Sequence, residues 1–154
     1  MRNFFLFLAV TSLALLGAEE YAQRGAIFAQ KVVDDMLAKH PDVIIMAMHV
    51  AKSEGADHAI VASNIGRIGK PADEDDMRVV NTGKPNLEVN KTGDHFEVEI
   101  PMRDMKGKVI GACGVVFMYK NGDNKQALRR RAEAIGKEMQ ALTPTREKLF
   151  EPWK

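Results

Sequence analysis

The stretch Phe96 to Phe117, FEVEIPMRDMKGKVIGACGVVF, decides the fold. It reads as two strands joined by a tight turn. Phe96, Val98 and Ile100 alternate with Glu97 and Glu99, so one strand face is apolar and the other acidic. Pro101 closes that strand, and Asp104, Lys106 and Gly107 supply the turn. The second strand, Lys108 to Tyr119, is apolar on both faces, as a central strand is. Its middle is small: Gly111, Ala112, Cys113 and Gly114. Such a strand leaves room beside the sheet for a helix or a small molecule.

Upstream, Val43 to Val50 is a short apolar run after His40-Pro41-Asp42, and its length favours a strand. Ala51 to Asp57 turns the chain, and His58 to Ser63 forms the partner strand of a hairpin. Asn64 to Asp76 is irregular, with Gly66, Gly69 and Pro71. Asp73 to Val80 makes a short helix begun by an acidic turn. Thr82 to Asn86 is another break. Leu87 to Asn90 is an edge strand, followed by the turn Lys91 to Asp94.

Helices flank this run of strands. Glu19 to His40 reads as one long helix, with Tyr21, Gly25, Phe28, Val32 and Met36 on one stripe. Pro41 ends it, because the residue before proline is pushed out of the helical region. At the other end Asn124 is the N-cap of a helix whose Leu128, Ala132, Ile135, Met139 and Leu142 recur at spacings of four and three. Thr143-Pro144 stops it, and the tail with Leu149, Phe150 and Trp153 is expected to dock on the body. Strands in a run, with helices at the ends and on one face, indicate an α+β domain with one central antiparallel sheet.

The 154 residues suit one globular domain with a real core. The formal charge is +1, which gives no electrostatic argument for nucleic acid or an anionic membrane surface. Arg129-Arg130-Arg131 sits among Glu133, Lys137 and Glu138 and reads as a solvated helix face. At the N-terminus, Met1-Arg2-Asn3 precedes an uncharged run from Phe4 to Leu16, then Gly17-Ala18 and Glu19-Glu20. This is the layout of a secretory signal peptide over residues 1–18, with the domain at 19–154. The run is short for a bilayer of ~30 Å. The expected location is periplasmic or secreted, with the segment cleaved or kept as an anchor. One cysteine excludes an internal disulfide, and Cys113 reads as a buried small residue.

Asn64-Ile65-Gly66-Arg67-Ile68-Gly69-Lys70-Pro71, then Asp73 to Asp76, then Thr82-Gly83-Lys84-Pro85, resembles the middle of the Cache family of extracytoplasmic sensor domains. So does Pro101-Met102-Arg103-Asp104 followed by Gly107 to Gly111. The resemblance covers roughly residues 20–120. It implies a PAS-like fold of about five antiparallel strands, one face packed on the long helix. The other face, roofed by Asn64–Pro85, would hold a small ligand. Members usually sit between transmembrane helices and feed an output module. This chain shows no second apolar span, so the resemblance implies a ligand carrier, a partner for a membrane receptor, or an exported module.

The expected ligand-binding residues are His49, Ser63, Asn64 and Arg78, around a small metabolite such as a carboxylate. Arg78 would clamp the carboxylate bidentately, or else pair with Asp75 or Glu74 on its own helix. Ser63 and Asn64 would face the ligand or cap the turn. Arg103 and Asp104 have turn roles, Glu97 and Glu99 read as a solvated pair, and His40 and His95 read as solvent-facing. No nucleophile–base pair or phosphate loop appears, so no enzyme activity is expected. The four histidines lack metal-ligand spacing, so no metal is expected. No cofactor is expected either, with one alternative. The GKVIGACGV strand and the last helix also resemble small haem-binding proteins related to glycolate-operon accessory proteins, which would make His49, Met48 or His58 axial-ligand candidates. In a third reading the Leu128–Leu142 helix and the tail form a homodimer face without any ligand.

Overall fold

The computed structural model describes residues 27–153. The signal-peptide reading of residues 1–18, and residues 19–26 of the expected long helix, lie outside the described residues. Helix α1 spans Phe28–Lys39. Strands β1 (Val43–Ala51) and β2 (His58–Ser63) form a hairpin, followed by helix α2 (Glu74–Thr82). Strands β3 (Asn86–Val89), β4 (His95–Arg103) and β5 (Val109–Met118) come next, then helix α3 (Lys125–Leu142) and a single 3-10 turn at Glu147–Phe150. The five strands form one antiparallel sheet in the order β2-β1-β5-β4-β3. The α+β fold read from the sequence is the one observed.

Alternation along the strands sorts the sheet into two faces. Met46, Met48 and Val50 of β1, Phe96, Val98, Ile100 and Met102 of β4, and Cys113, Val115 and Phe117 of β5 form the main core. Helices α1 and α3 cover this face, contributing Ala29, Val32, Val33 and Met36, and Ala132, Ile135 and Met139. Helix α3 approaches β4 so closely that a Cβ on Gly136 would lie 2.8 Å from Ile100 Cδ1. Cys113 is fully buried in this core, and burial pushes its thiol pKa up. The apolar stripe expected to make a dimer face is therefore mostly covered by the chain's own sheet. Leu142 and Trp153 remain exposed.

Two boundaries and the burial of one histidine differ from expectation. Ile27 is extended rather than helical, because the chain there bridges to Pro152 and the Phe28 N–H donates to Glu151 O at 2.9 Å. Pro101 does not close β4, which runs on to Arg103. The last β4 partner of β3 is Glu99, so Pro101 lies where that edge has no neighbour, and proline is tolerated at an edge. His40 is buried rather than solvent-facing. Arg131 Nη2 donates to its Nδ1 at 2.9 Å, so Nε2 carries the hydrogen and donates to Glu138 Oε2 at 3.1 Å. The same guanidinium holds Asp42 bidentately at 3.0 and 3.1 Å and keeps its pKa below the usual carboxylate value. This cluster ties the entry of β1 to α3.

The tail docks as expected. Leu149 is fully buried in the core, and Trp153 meets the Phe28 ring edge-on at 5.7 Å. Leu149→Ala is expected to cost about 3 kcal/mol by lost burial and a residual cavity. Urea denaturation measures this, and an unchanged midpoint would mean that the tail does not hold α1 to the body.

Asn64 to Ala72 runs back along the outer edge of β2. Gly69 N–H donates to Ile60 O, Ile60 N–H to Lys70 O, and Ala72 N–H to His58 O, at 2.8–2.9 Å. This return delivers α2 to the sheet face opposite α1 and α3, where it packs on β5, β4 and β3. Asp73 caps α2 by accepting from the Asp75 and Asp76 N–H groups, and Asp76 Oδ2 accepts from Asp73 N–H in return. Gly83 closes the helix at φ 64°, a left-handed conformation that favours glycine.

Candidate functional site

The register of the sheet defines three rows on the α2 face. The first joins Glu88, Glu97, Val116 and Ile45. The second joins Asn86, Glu99, Gly114, Ala47 and Ser63. The third joins Pro101, Ala112, His49 and Ile60. The small residues of β5 do leave room, and the protein's own groups take part of it. A Cβ on Gly114 would lie 2.3 Å from Glu97 Oε1, so the Glu97 carboxylate occupies the space that glycine leaves. What remains open beside it is a cavity of about 160 Å³ lined by Ile45, Glu88, Asn90, His95, Glu97 and Val116.

Polar groups gather under α2. Asp76 and Glu99 are buried, and one ligand atom from each of Asp73, Asp76 and Glu99 lies within 4.8 Å of the others. Asn86 Nδ2 donates to Glu99 Oε2 at 3.3 Å. His49 is 7% exposed, and its Nδ1 lies 3.2 Å from Asp76 Oδ1. That oxygen is off the line a ring N–H requires, so the buried Nδ1 has no hydrogen-bond partner among the described residues.

Burial sets the protonation of this cluster. Desolvation pushes Glu99 up to about 8, helped by the neighbouring Asp76 and Glu97 charges. Desolvation also raises Glu97, with Glu88 adding repulsion. Asp76 is raised by burial in spite of the N–H bond from Asp73, and His49 is lowered by burial in spite of Asp76. At neutral pH the face therefore holds a neutral imidazole beside carboxyl groups that keep protons unusually well.

Of the four expected ligand residues, only His49 belongs to this cluster. Arg78 is exposed and pairs with Asp75 at 2.7 Å on its own helix. Ser63 shares the second row, but its hydroxyl accepts from the Ile65 N–H at 2.9 Å. Asn64 accepts from the Met46 N–H and donates to Ile44 O, both at 3.0 Å, and so caps the hairpin end. Asp104 closes its turn by accepting from the Lys106 and Lys108 N–H groups, and Arg103 donates to the Gly107 and Gly83 carbonyls. Met48 is buried in the main core, on the opposite face from His49, so these two cannot hold one haem iron.

Glu97 and Glu99 are the correction of most consequence, since the sequence reading left them in solvent. The signal against that reading was in β5. A strand apolar on both faces is covered on both faces, so its neighbour's acidic face is covered as well.

A larger hollow of about 490 Å³ lies at the sheet margin between α3 and Gly83–Pro85, with Arg103, Arg130 and Lys137 among its walls. None of His49, Asp76, Glu97 and Glu99 lines it. It is a groove beside the uncovered end of β4, and the Arg103 guanidinium is already committed to two carbonyls.

Among the described residues no helix is long and apolar enough to cross a membrane. No family model matches the chain, and no curated protein does. Solved structures do. The GAF domain of A. aeolicus nlh2, in an inactive state, aligns over 74% of this chain and 83% of its own, with TM-score 0.57 and 18% identity. The GAF domain region of a Geobacter sulfurreducens PCA protein aligns over 74% and 92%, with TM-score 0.53 and 13% identity. The Agrobacterium tumefaciens repressor BlcR aligns over 88% and 73%, with TM-score 0.53 and 9% identity. At these identities the likeness speaks for the fold. The fold is similar to GAF and PAS-like α+β folds, and nothing in these likenesses is specific to Cache domains.

Proposed function

We propose that this chain is an exported, sensor-type domain that binds a small metabolite on the sheet face beneath α2, without transforming it. The observation that carries the reading is the set of polar side chains on that face. Burying charged carboxyl groups costs stability, and a face with only a packing role would be filled by apolar side chains. The 160 Å³ cavity opens beside these groups, and the GAF domains that share the fold support a sensor reading.

The lining favours a guest different from the expected carboxylate. Glu88 and Glu97 would repel an anion, and Arg78 points elsewhere. A compact guest with N–H donors or a positive charge, such as a small amine, meets Glu97, Glu88 and Asn90 with complementary groups. The cavity lies below the ~300 Å³ common for drug-sized ligands, so the guest is correspondingly small.

The N-terminal layout supports export, the Cache resemblance supports an extracytoplasmic role, and a separate membrane receptor would read the bound state. A thermal-shift screen of the mature domain against small amines and carboxylates tests the binding reading. An amine is expected to raise the melting point with increasing concentration, and Glu97→Gln to remove most of the shift. No shift with any compound, or one undiminished in Glu97→Gln, overturns the reading.

A further inference from the structure

We infer that His49, Asp76 and Glu99, with Asp73 at the open side, form a binding site for one divalent transition-metal ion of the manganese-to-zinc series. The inference goes beyond metabolite binding and does not depend on the guest of the neighbouring cavity. Three observations converge on it.

The first is the cluster itself. Asp73, Asp76 and Glu99 present ligand oxygens within 4.8 Å of one another, from an N-cap, the first turn of α2 and the middle of β4. A metal ion about 2.1 Å from each donor holds donors no more than about 4.2 Å apart, so the carboxylates would close up on binding, and His49 adjoins the cluster through Asp76 Oδ1, 3.2 Å from its Nδ1.

The second is that helix capping does not account for the cluster. Capping uses Asp73 Oδ1 and Asp76 Oδ2. It leaves Asp76 Oδ1 turned toward His49, and it gives Glu99 no task at all. Lys70 is the cation that acts on both Asp76 and Glu97, so carboxylates outnumber it on this face.

The third is independent of the carboxylates. His49 Nδ1 is buried and has no hydrogen-bond partner among the described residues. A protonated Asp76 would not satisfy it, because Oδ1 lies off the line of the ring nitrogen. An unpaired buried polar atom costs about 1–3 kcal/mol, and a cation seated between the imidazole and the carboxylates removes that cost together with their mutual repulsion. One imidazole nitrogen and several carboxylate oxygens suit manganese, iron or zinc better than magnesium or calcium, which prefer an all-oxygen shell. Asp73 is exposed, so an ion has a way in from solvent.

The test uses the mature protein stripped with a chelator and titrated with Mn²⁺ alone, with no metabolite present. One equivalent is expected to bind and to raise the melting point in a concentration-dependent way. Pulsed electron paramagnetic resonance of bound Mn²⁺ is expected to show nitrogen coupling from one imidazole, lost in His49→Ala. Glu99→Gln, which keeps the side-chain volume and takes no part in capping, is expected to weaken binding by about tenfold or more. Mg²⁺ is expected to compete poorly. Absence of binding at millimolar Mn²⁺ overturns the inference, as does binding without nitrogen coupling or with unchanged affinity in Glu99→Gln. A positive Mn²⁺ result with a negative amine screen would keep the metal site and remove the metabolite reading, and the reverse result would do the opposite.

Discussion

Glu99→Gln is expected to stabilise the metal-free protein by about 3 kcal/mol above pH 8 and to leave it nearly unchanged near pH 4. The folded chain holds the Glu99 proton up to about pH 8, whereas an unfolded glutamate releases it near 4.3. Between those values the native state binds more protons than the unfolded state. Stability therefore falls as pH rises through that window and levels off above it. Glutamine keeps the size and the neutral character of the protonated acid, so the variant escapes the fall.

The whole displacement would amount to roughly 5 kcal/mol at 1.36 per unit, but Asp76 and Glu97 titrate with Glu99 and share the relief. The other facing groups are Asp73, His49 and Asn86. His49 acts with the opposite sign. Its lowered pKa stabilises the fold above its unfolded value and is lost on acidification, equally in both proteins, so it cancels in the difference. Urea midpoints taken from pH 4 to 9 with a chelator present decide the matter. Parallel profiles for the two proteins would show that Glu99 is not held in a desolvated site.

Gly111→Ala is expected to destabilise by about 3 kcal/mol or more, through overpacking that the backbone cannot relieve. The added Cβ would lie 2.2 Å from the His49 carbonyl oxygen and 2.9 Å from Val50 Cγ2. The carbonyl belongs to the adjacent strand, so β1 and β5 must part at the centre of the sheet. Gly114→Ala is a matched control. Its Cβ meets the end of the Glu97 side chain, which can swing away, so a cost of about 1 kcal/mol is expected. The displaced carboxylate should also lessen the pH dependence described above. Equilibrium denaturation and soluble yield of the two variants give the comparison. Equal tolerance at both positions would mean that the β1–β5 register differs from the one described.

Much of the architecture was legible because each element carries a local signature. The period of two in Phe96 to Ile100, the cap at Asn124 and the four-three repeat from Leu128 to Leu142 act over a few residues. They are reproduced in β4 and α3. The acidic start of α2 was readable for the same reason. The site was not, because its members come from separate elements. His49, Asp76 and Glu99 meet only once the chain after β2 has turned back along the sheet and laid α2 across it. No spacing in the sequence encodes that meeting. Arg78 was singled out for its charge, and a helical neighbour three positions away claims it. Ser63 and Asn64 stand where a ligand contact was expected, but chain reversal uses their polar atoms locally.

The path of residues 64–72 beside β2 also bears on polymerisation. A bare strand margin offers a row of donors and acceptors to any other extended chain, the common route to fibrils. Here that row is already answered from within the molecule. At the far margin β3 has four residues, and β4 outruns it with a stretch that contains a proline. Ladder extension by a second copy is therefore closed at the β2 margin and confined at the far one to the four residues of β3 and the end of β4.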